Sequence, residues 1–532
     1  MRRIAGLAVV AAAIALWAGD AAASALVYCA EGSPSGFDPA RHTDPATLDA
    51  SSQAVYDRLV RFAPGTATIV PGLAESWEIS PDGLEYTFHL RPGVRFQGTG
   101  DYTPARPLNA DDVVFSFERQ WREDNPWYDA APDGWPWFAG LAMPFVLRDV
   151  RKLDDLTVRF VLERPHAPFL ADLAMDFASI LSKEYADRLL AAGNPEALDT
   201  APVGTGPFRL VEHVEGALVR YAANPDYWAG RPPVDDLIFD VTPDPGVRFE
   251  KLKSGECQVI PSPNAADLAA IRAEPGLALL EGPGLALAFI AFNTTRPPFD
   301  RARARKAVAA AIDRGALAAE VFGGAAAPTA TLLSPLMLGG ATAPPPAFDA
   351  DKARQAVAEA EAAGAALPLW SLAAARPYDP DPARMAAMLR DDLAAAGLET
   401  KVVTPSADAF FADSVSPDRD GAVLLGWVSD NGDPDNLLAP LLGCDAVGIS
   451  NRANWCDPRF DALLAEARAT HDPEARARLY ARADRLAADE IPLIPLLYAG
   501  QAVATRDTVA GYVVDPFGRH NFATVAIVPP AN

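Results

Sequence analysis

The chain lacks any cluster of basic residues. Its 532 residues include 46 lysines and arginines against 70 aspartates and glutamates, which gives a formal net charge of −24 at pH 7. Proteins that bind nucleic acid or anionic lipid neutralise phosphates with a basic surface. The sequence offers no patch of this kind, so a nucleic-acid partner is not expected.

Beyond its first residues the sequence also lacks a long apolar run. Arg2 and Arg3 precede an apolar stretch from Ala5 to Ala18, and small residues at A-x-A spacing follow. This is the pattern of a secretory signal peptide, and it is shorter than the roughly 20 apolar residues that cross a bilayer. We predict a signal peptide over residues 1–23, removed on export, and a soluble mature chain of two or three domains.

Catalytic and metal-binding motifs are missing as well. No Gly-x-Ser-x-Gly sequence occurs, and the segment with Gly204 and Gly206 lacks the lysine and the third glycine of nucleotide-binding loops. The 6 histidines are scattered, with no pair at metal-ligand spacing. The sequence therefore predicts no catalytic residue, no metal and no cofactor.

Cysteine is scarce, with 4 residues: Cys29, Cys257, Cys444 and Cys456. No Cys-x-x-Cys occurs, which argues against a zinc or redox site. In an oxidising compartment the even count predicts two disulfides, with three possible pairings. Cys444 and Cys456 are close in sequence and would close one loop, in which case Cys29 and Cys257 would join distant segments.

Strand and helix patterns alternate through the whole chain, which predicts a mixed α/β fold. Period-2 alternation predicts strands at Leu84–Leu90 and Val158–Leu162. Asn109 is a predicted helix N-cap. Helical patterns occur at Ala110–Trp121, Arg301–Ile312, Asp351–Ala363, Pro382–Ala395 and Pro473–Ala488.

An acidic segment, GWVSDNGDPDN (Gly426–Asn436), follows an apolar run. It is compatible with a solvated turn, a cation site, or a carboxylate held for a positively charged ligand. The spacing does not fit a calcium loop, because Leu441 stands where a glutamate is needed when counting from Asp430. Asp433 and Asp435 are expected to shape the turn.

Eight segments, taken in order, resemble the solute-binding proteins of peptide ABC importers, family 5 (peptide/nickel type). The similarity is greatest to the dipeptide-binding members and extends from about residue 25 to residue 528. The segments are Ala25–Pro39, Pro71–Trp77, Ser80–Phe96, Leu108–Phe117, Asp172–Asp187, Val203–Phe208, Gly426–Asn436 and Gly511–Pro516.

The resemblance implies a two-lobed α/β periplasmic binding protein of the large, cluster C-like type, with an inserted subdomain and a two-strand hinge. Cys29 and Cys257 would then lie in the first lobe, and Cys444 and Cys456 in the second. Lobe I would comprise residues 24–67, 190–288 and 500–532, the inserted subdomain residues 68–189, and lobe II residues 289–499.

The resemblance also implies a function. A non-enzymatic, monomeric receptor in the periplasm would bind a dipeptide or short peptide between its lobes and deliver it to an inner-membrane ABC permease with its ATPase subunits. The alternative within the family is a receptor for another solute, such as haem, glutathione or a longer peptide. Outside the family, the alternatives are an envelope chaperone or a hydrolase.

The residues expected to bind the ligand come from the same resemblance. Burying both charges of a zwitterionic peptide costs several kcal/mol per ion unless each is paired. Asp430 would pair with the ammonium group, and Arg376, in Ala375–Tyr378, would pair with the carboxylate through its planar fork of donors. The alternatives are that Asp430 merely caps its turn and that Arg376 is a solvated loop charge.

Further ligand contacts are expected from the strand exit and from one loop of the first lobe. Gly426 and Trp427 would form a wall of the ligand site, although a tryptophan at a strand end is as often part of the core. The loop that contains Ser33, Ser35 and Gly36 would offer backbone groups to the ligand, or it is a structural turn.

Overall fold

A computed structural model of the protein describes residues 24–341 and 343–529. The predicted signal peptide, residues 1–23, lies outside the described residues. Among the helices that the structure describes, none combines the length and the apolar character needed to cross a bilayer.

The described residues form strands and helices in alternation. The strands are β1 (Ala25–Ala30), β2 (Val60–Phe62), β3 (Ile69–Pro71), β4 (Ala74–Ile79), β5 (Glu85–Leu90), β6 (Leu147–Asp154), β7 (Thr157–Leu162), β8 (Phe208–Val214), β9 (Leu218–Ala223), β10 (Asp236–Val241), β11 (Val259–Pro261), β12 (Leu277–Phe292), β13 (Ala326–Pro328), β14 (Ala366–Trp370), β15 (Glu399–Val403), β16 (Ala422–Val428), β17 (Leu493–Arg506), β18 (Val509–Ala510) and β19 (Ala526–Ile527).

The helices are distributed along the whole described chain. They are α1 (Pro45–Leu48), α2 (Ala110–Glu118), α3 (Pro136–Gly140), α4 (Met143–Val146), α5 (Phe169–Asp172), α6 (Lys183–Ala191), α7 (Ala197–Thr200), α8 (Pro245–Ser254), α9 (Leu268–Ala273), α10 (Ala302–Ala310), α11 (Arg314–Phe322), α12 (Ala350–Glu359), α13 (Pro382–Ala395), α14 (Ala407–Asp413), α15 (Pro434–Leu442), α16 (Pro458–Arg468) and α17 (Pro473–Glu490).

Two long antiparallel strands, β12 and β17, run from one lobe into the other. Residues 277–282 pair with 506–501 in the first lobe, and residues 286–291 pair with 499–493 in the second. The register shifts between Gly282 and Ala286, where the strands cross between lobes. The expected two-strand hinge and two-lobed architecture are therefore confirmed, with one mixed sheet in the order β15-β14-β16-β12-β17-β11-β1-β10-β9-β8.

The second lobe has a hydrophobic core on each face of its sheet. Along β12, Ala288 and Ile290 pack into one core, whereas Leu287 and Phe289 pack into the other. Successive side chains of a strand point to opposite faces, so a strand that is covered on both sides reads as a continuous apolar run. A separate core joins residues 26–259 with Val503, Phe522 and Val525 of the C-terminal segment.

A four-stranded antiparallel sheet, β4-β5-β7-β6, lies within residues 74–162. Its central strands β5 and β7 pair with each other and correspond to the predicted strands Leu84–Leu90 and Val158–Leu162, so both predictions are confirmed. The residue limits 68 and 189 of the inserted subdomain remain our proposal.

The predicted helices are confirmed with small changes at their ends, as α2, α10, α12, α13 and α17. Asn109 caps α2 as predicted: its side chain accepts from Asp111 N, and the Asp112 carboxylate accepts from Asn109 N. This reciprocal arrangement satisfies two amide groups that the first helical turn leaves without partners.

Both disulfides join cysteines of the same lobe, as expected from the two-lobed arrangement. Cys29 is bonded to Cys257 with a Cα–Cα distance of 5.9 Å, and Cys444 to Cys456 with a Cα–Cα distance of 4.6 Å. The first bond joins β1 to the segment before β11, and the second closes a short loop after α15.

Candidate functional site

A cavity of about 130 Å³ lies between the lobes and is lined by residues from the first lobe, the inserted segment and the second lobe. A buried water needs roughly 10–15 Å³ of such space, so the cavity has room for a ligand group together with solvent. Its charged lining is balanced, with three guanidinium groups and three carboxylates. These residues are Arg58, Arg61, Arg519, Asp176, Asp430 and Asp515.

Asp430 is the residue that the second lobe contributes to this cavity. It follows β16, and Asn436 in α15 holds it: Asn436 Nδ2 donates to Asp430 Oδ2 over 3.1 Å, and Asp430 N donates to Asn436 Oδ1 over 2.9 Å. Burial raises the pKa of the Asp430 carboxyl group, and the Asn436 bond only partly offsets this. Within the described residues Asp430 forms no ion pair.

The other two acids of the same segment are occupied by arginines of the second lobe. Asp433 caps α15 and lies 2.7 Å from Arg476 Nη1, and Asp435 lies 2.9 Å from Arg468 Nε. Both carboxylates anchor the turn to α16 and α17, which agrees with the expectation that they shape it. Asp430 therefore differs from its neighbours in having no cation within 4.0 Å among the described residues, although Arg519 across the cavity, at a greater distance, partly offsets the rise in its pKa that burial causes.

The first lobe and the inserted segment together contribute an ion pair to the opposite wall of the cavity. Arg519 Nη2 lies 2.7 Å from Asp176 Oδ2, and Ser52 and Gln53 donate to the other oxygen of Asp176. Burial alone would raise the pKa of Asp176, but Arg519 and Arg58 outweigh it and hold that pKa below its usual value. Ser52 and Gln53 belong to a π-helical turn, Asp49–Gln53, a conformation that recurs at functional sites.

The lobes touch each other directly beside Asp430. Asn431 Nδ2 donates to Asp172 Oδ1 over 2.7 Å, and the other oxygen of Asp172 lies 3.0 Å from His166 Nε2. Gly432, at φ +70°, packs against Ala67, and a β-carbon at this glycine would lie only 2.7 Å from that methyl group. These contacts show that the cleft is closed in this structure.

Gly426 and Trp427 lie at the end of β16, next to the hinge strand β12. A β-carbon at Gly426 would lie 2.1 Å from the Tyr378 ring, so only glycine allows this ring to pack on the strand. Trp427 is half-buried beside Leu287, and its indole Nε1 is buried without a partner among the described atoms. Neither residue contributes to the lining of the cavity around Asp430.

Arg376 is exposed and lies in a tight turn of the second lobe. Its backbone N donates to Asp379 O over 2.8 Å, and Asp379 N donates back to Arg376 O over 2.9 Å. Within the described residues its guanidinium forms no ion pair, and it does not line the cavity that contains Asp430. The turn places it two residues from Tyr378, whose ring covers Gly426.

The loop with Ser33, Ser35 and Gly36 is held within the first lobe. Ser33 Oγ accepts from Gly216 N over 3.0 Å, and Ser35 N donates to Thr47 Oγ1 over 2.8 Å. A β-carbon at Gly36 would lie 2.5 Å from the Asp199 carboxylate. The structure does not bring these three residues to the cavity of Asp430.

The arginines of the first lobe that line this cavity were not predicted from the sequence. Arg58 and Arg61 stand in the segment before the second resembling stretch, and Arg519 stands just after the last one. Isolated arginines in ordinary loop and strand positions give no sequence signal, and only the closed fold shows that they meet around one space.

Comparison with known proteins identifies the family. Residues 68–448 match the family described as bacterial extracellular solute-binding proteins, family 5. The chain is 43% identical over 528 residues to a dipeptide-binding protein of Escherichia coli, covering 98% of this chain and 97% of that protein. It is 42% identical to heme-binding protein A of Haemophilus influenzae, covering 94% and 92% of the two chains.

Solved structures agree with this assignment. HbpA2 of Haemophilus parasuis superposes with a TM-score of 0.90 at 40% identity, covering 94% of this chain and 99% of that one. A dipeptide-binding protein of Pseudoalteromonas in complex with Met-Leu gives a TM-score of 0.77 at 34% identity, covering 94% and 100%. The chain belongs to the bacterial extracellular solute-binding proteins of family 5.

Proposed function

We propose that this protein is an extracytoplasmic receptor that binds dipeptides between its lobes and delivers them to an ABC permease of the inner membrane. The observation that carries the proposal is the unpaired carboxylate of Asp430 in a closed cavity between the lobes. Asp430 is half-buried and, in the part of the chain that the structure describes, has no cation within 4.0 Å. Enclosing such a carboxylate fully without a partner is costly, and the ammonium group of a peptide would remove that cost. The role is one of binding and closure, without a chemical step.

Several findings support the proposal. Two relatives, with 43% and 44% identity, are named a dipeptide-binding and a di/tripeptide-binding protein, and one solved relative is in complex with the dipeptide Met-Leu. Two disulfides favour an oxidising compartment outside the cytoplasm. We expect a dissociation constant in the micromolar range or lower, which corresponds to a binding free energy of about −8 kcal/mol or more negative.

Arg376 is our proposed partner for the carboxylate of the ligand. Its guanidinium has no ion pair within the described residues, and its turn packs beside Gly426, four residues before Asp430. A planar fork of donors suits a terminal carboxylate. The sequence resemblance, rather than the cavity lining, is what supports this second role.

The test is calorimetric titration of the dipeptide Ala-Ala into the protein and into Asp430→Asn. Truncating one partner of a buried charge pair costs about 2–5 kcal/mol, so the affinity of the variant should fall thirtyfold or more. Asp408→Asn, which changes an exposed acid of the same lobe, is the matched control and should bind normally. Equal affinities for the protein and Asp430→Asn would refute the assignment.

A receptor for haem is the alternative that heme-binding protein A of Haemophilus influenzae supports. Titration of haem, followed by its absorbance, separates the two functions. Saturable binding of one haem per chain that Ala-Ala does not displace, together with no heat from Ala-Ala, would favour the haem receptor. We expect the dipeptide to bind and acetylation of its amino group to weaken binding strongly, because the Asp430 pairing is then lost.

A further inference from the structure

The cavity between the lobes extends from Asp430 toward a pair of arginines in the first lobe. Arg58 and Arg61 line it, and both also line an adjoining small cavity of about 30 Å³ on the far side from the second lobe. The space beyond the site of the ligand ammonium is therefore bordered by guanidinium groups.

The two arginines differ in how their donors are used. Arg58 Nη1 lies 3.6 Å from Asp176 Oδ1, but its Nε is buried without a partner. Arg61 donates from Nε to the backbone oxygen of Pro71 over 3.4 Å. Its guanidinium also lies 5.7 Å from the centre of the Trp228 ring, and among the described residues it has no carboxylate within 4.0 Å.

The acids nearby do not serve as hidden partners of Arg61. Asp176 is held by Arg519 and Arg58, and Asp57 accepts from Thr205, Tyr227 and Trp228. Half-buried donors of an arginine gain most from a carboxylate, which matches their planar, parallel geometry. The free donors of Arg61 therefore fit an acidic group supplied by the ligand.

A dipeptide has a side chain that can supply this group. Its backbone spans only about 7 Å, at roughly 3.3–3.6 Å per residue, and in the proposed function both of its ends are held by residues of the second lobe. The side chains then project from the backbone into the remaining space, which Arg58 and Arg61 border on the first lobe. A neutral side chain leaves the donors of Arg61 to solvent and Arg58 Nε unpaired, whereas a glutamate side chain carries a carboxylate toward them.

We propose that Arg61, assisted by Arg58 Nε, forms a subsite for the carboxylate of an acidic peptide side chain, so that the receptor prefers glutamate-containing dipeptides to their amide counterparts. The inference rests on the proposed function, because it assigns the side-chain specificity of the same ligand. It adds a first-lobe residue to a site whose terminal contacts come from the second lobe.

The experiment compares isosteric ligand pairs in calorimetric titrations: Ala-Glu with Ala-Gln, and Glu-Ala with Gln-Ala. Charge-assisted hydrogen bonds are about twice as strong as neutral ones, so at least one acidic ligand should bind about tenfold or more tightly than its amide. Arg61→Gln should reduce that preference below about twofold, because it weakens the acidic ligand much more than the amide ligand. Retained binding of the amide ligand also shows that the variant is folded.

Two further variants exclude trivial explanations. Arg95→Gln removes an exposed arginine from a separate groove and should leave the preference intact, which excludes an effect of net charge. Arg61→Lys keeps the positive charge but loses the planar fork of donors, and should retain only part of the preference for the acidic ligand.

Three results would overturn the proposal: equal binding of the acidic and amide ligands by the unaltered protein, a preference that persists in Arg61→Gln, or a preference that Arg95→Gln removes to the same extent. If one of these results is obtained while the amide dipeptides bind normally, it contradicts only the acidic subsite and leaves the proposed function in place. If none of the four dipeptides binds, the proposed function itself fails.

Discussion

The hydrogen bond between Asn431 and Asp172 should determine how firmly the cleft stays closed. It joins the second lobe to the inserted segment over 2.7 Å and lies next to Asp430 in the chain. When the lobes separate, both groups become hydrated, so the bond contributes only to the closed state. We therefore expect Asn431→Ala to shift the equilibrium toward the open state and to weaken ligand binding.

The magnitude follows from the type of bond. A hydrogen bond to a charged group contributes about 1.5–3 kcal/mol net, which corresponds to a shift of roughly 10- to 150-fold in the ratio of closed to open molecules. The apparent affinity is proportional to the fraction of molecules that remain competent to bind, so it falls as the closed state is depleted. The dissociation rate should rise accordingly, because the bond must break before the ligand leaves.

Asn431 also accepts a bond from Asp433 N over 2.9 Å within its own turn, so a single substitution changes two interactions. A double-mutant cycle with Asn431→Ala, Asp172→Ala and the pair isolates the contact across the cleft. Affinity and dissociation rate are measured for Ala-Ala by titration and stopped flow. Asn264→Ala, which removes a similar bond to Asp267 over 3.0 Å on the surface of one lobe, is the control.

We expect the cycle to give a coupling of at least about 1 kcal/mol, most of it in the dissociation rate. Strictly additive effects of Asn431→Ala and Asp172→Ala would show that the contact does not stabilise the closed state. An equal loss of affinity in Asn264→Ala would attribute the effect to something other than closure.

Three other predictions can be tested on the same protein. Burial raises the pKa of Asp430, and a bound ammonium group would lower it. Acidification should therefore weaken dipeptide binding already at a pH above the ordinary aspartate pKa of about 3.9. Between pH 4 and pH 7, the affinity of Asp430→Asn for Ala-Ala should depend less on pH than that of the unaltered protein. Cys444 and Cys456 have a sequence separation of 12, so the chain-entropy model predicts that replacing both by serine lowers the free energy of unfolding by about 3 kcal/mol. The variant should show a lower denaturant midpoint and still bind Ala-Ala. An unchanged midpoint would contradict this prediction. Burial raises the pKa of Asp379 to about 7. A group with a raised pKa stabilises the fold fully only below its unfolded pKa of about 3.9, and this contribution is lost as pH rises toward 7. Asp379→Asn should therefore raise the melting temperature more at pH 8 than at pH 5, and a gain that is equal at both pH values would exclude this cause.

Local patterns in the sequence were enough to predict much of the fold. The alternation in Val158–Leu162 marks β7, because its buried side chains alternate with half-buried ones on the other face. Asn109 was recognisable as a helix cap because a cap forms hydrogen bonds with residues only two and three positions further along the chain. The segment order likewise identified the family. These features depend on neighbours in sequence, and sequence patterns report such neighbours directly.

The charges of the candidate site are different, because their partners are distant in sequence. Asp430, Asp433 and Asp435 look alike in the chain, yet Asp433 forms an ion pair with Arg476 and Asp435 with Arg468. Among the described residues Asp430 has no cation within 4.0 Å. Whether an acid is neutralised is set by groups 33 and 43 residues away. No local pattern records those distances.

The sequence by itself determined the elements, the cysteines available for disulfides and the acids available to a ligand. The tertiary structure alone decided which charges face one another across the cleft: it exposed Arg376 and placed Arg61 and Arg519 in the cavity with Asp430. The physical reason is that secondary structure follows from short-range backbone and packing preferences. Electrostatic pairing instead depends on separations of a few ångströms, which only the closed arrangement of the two lobes sets.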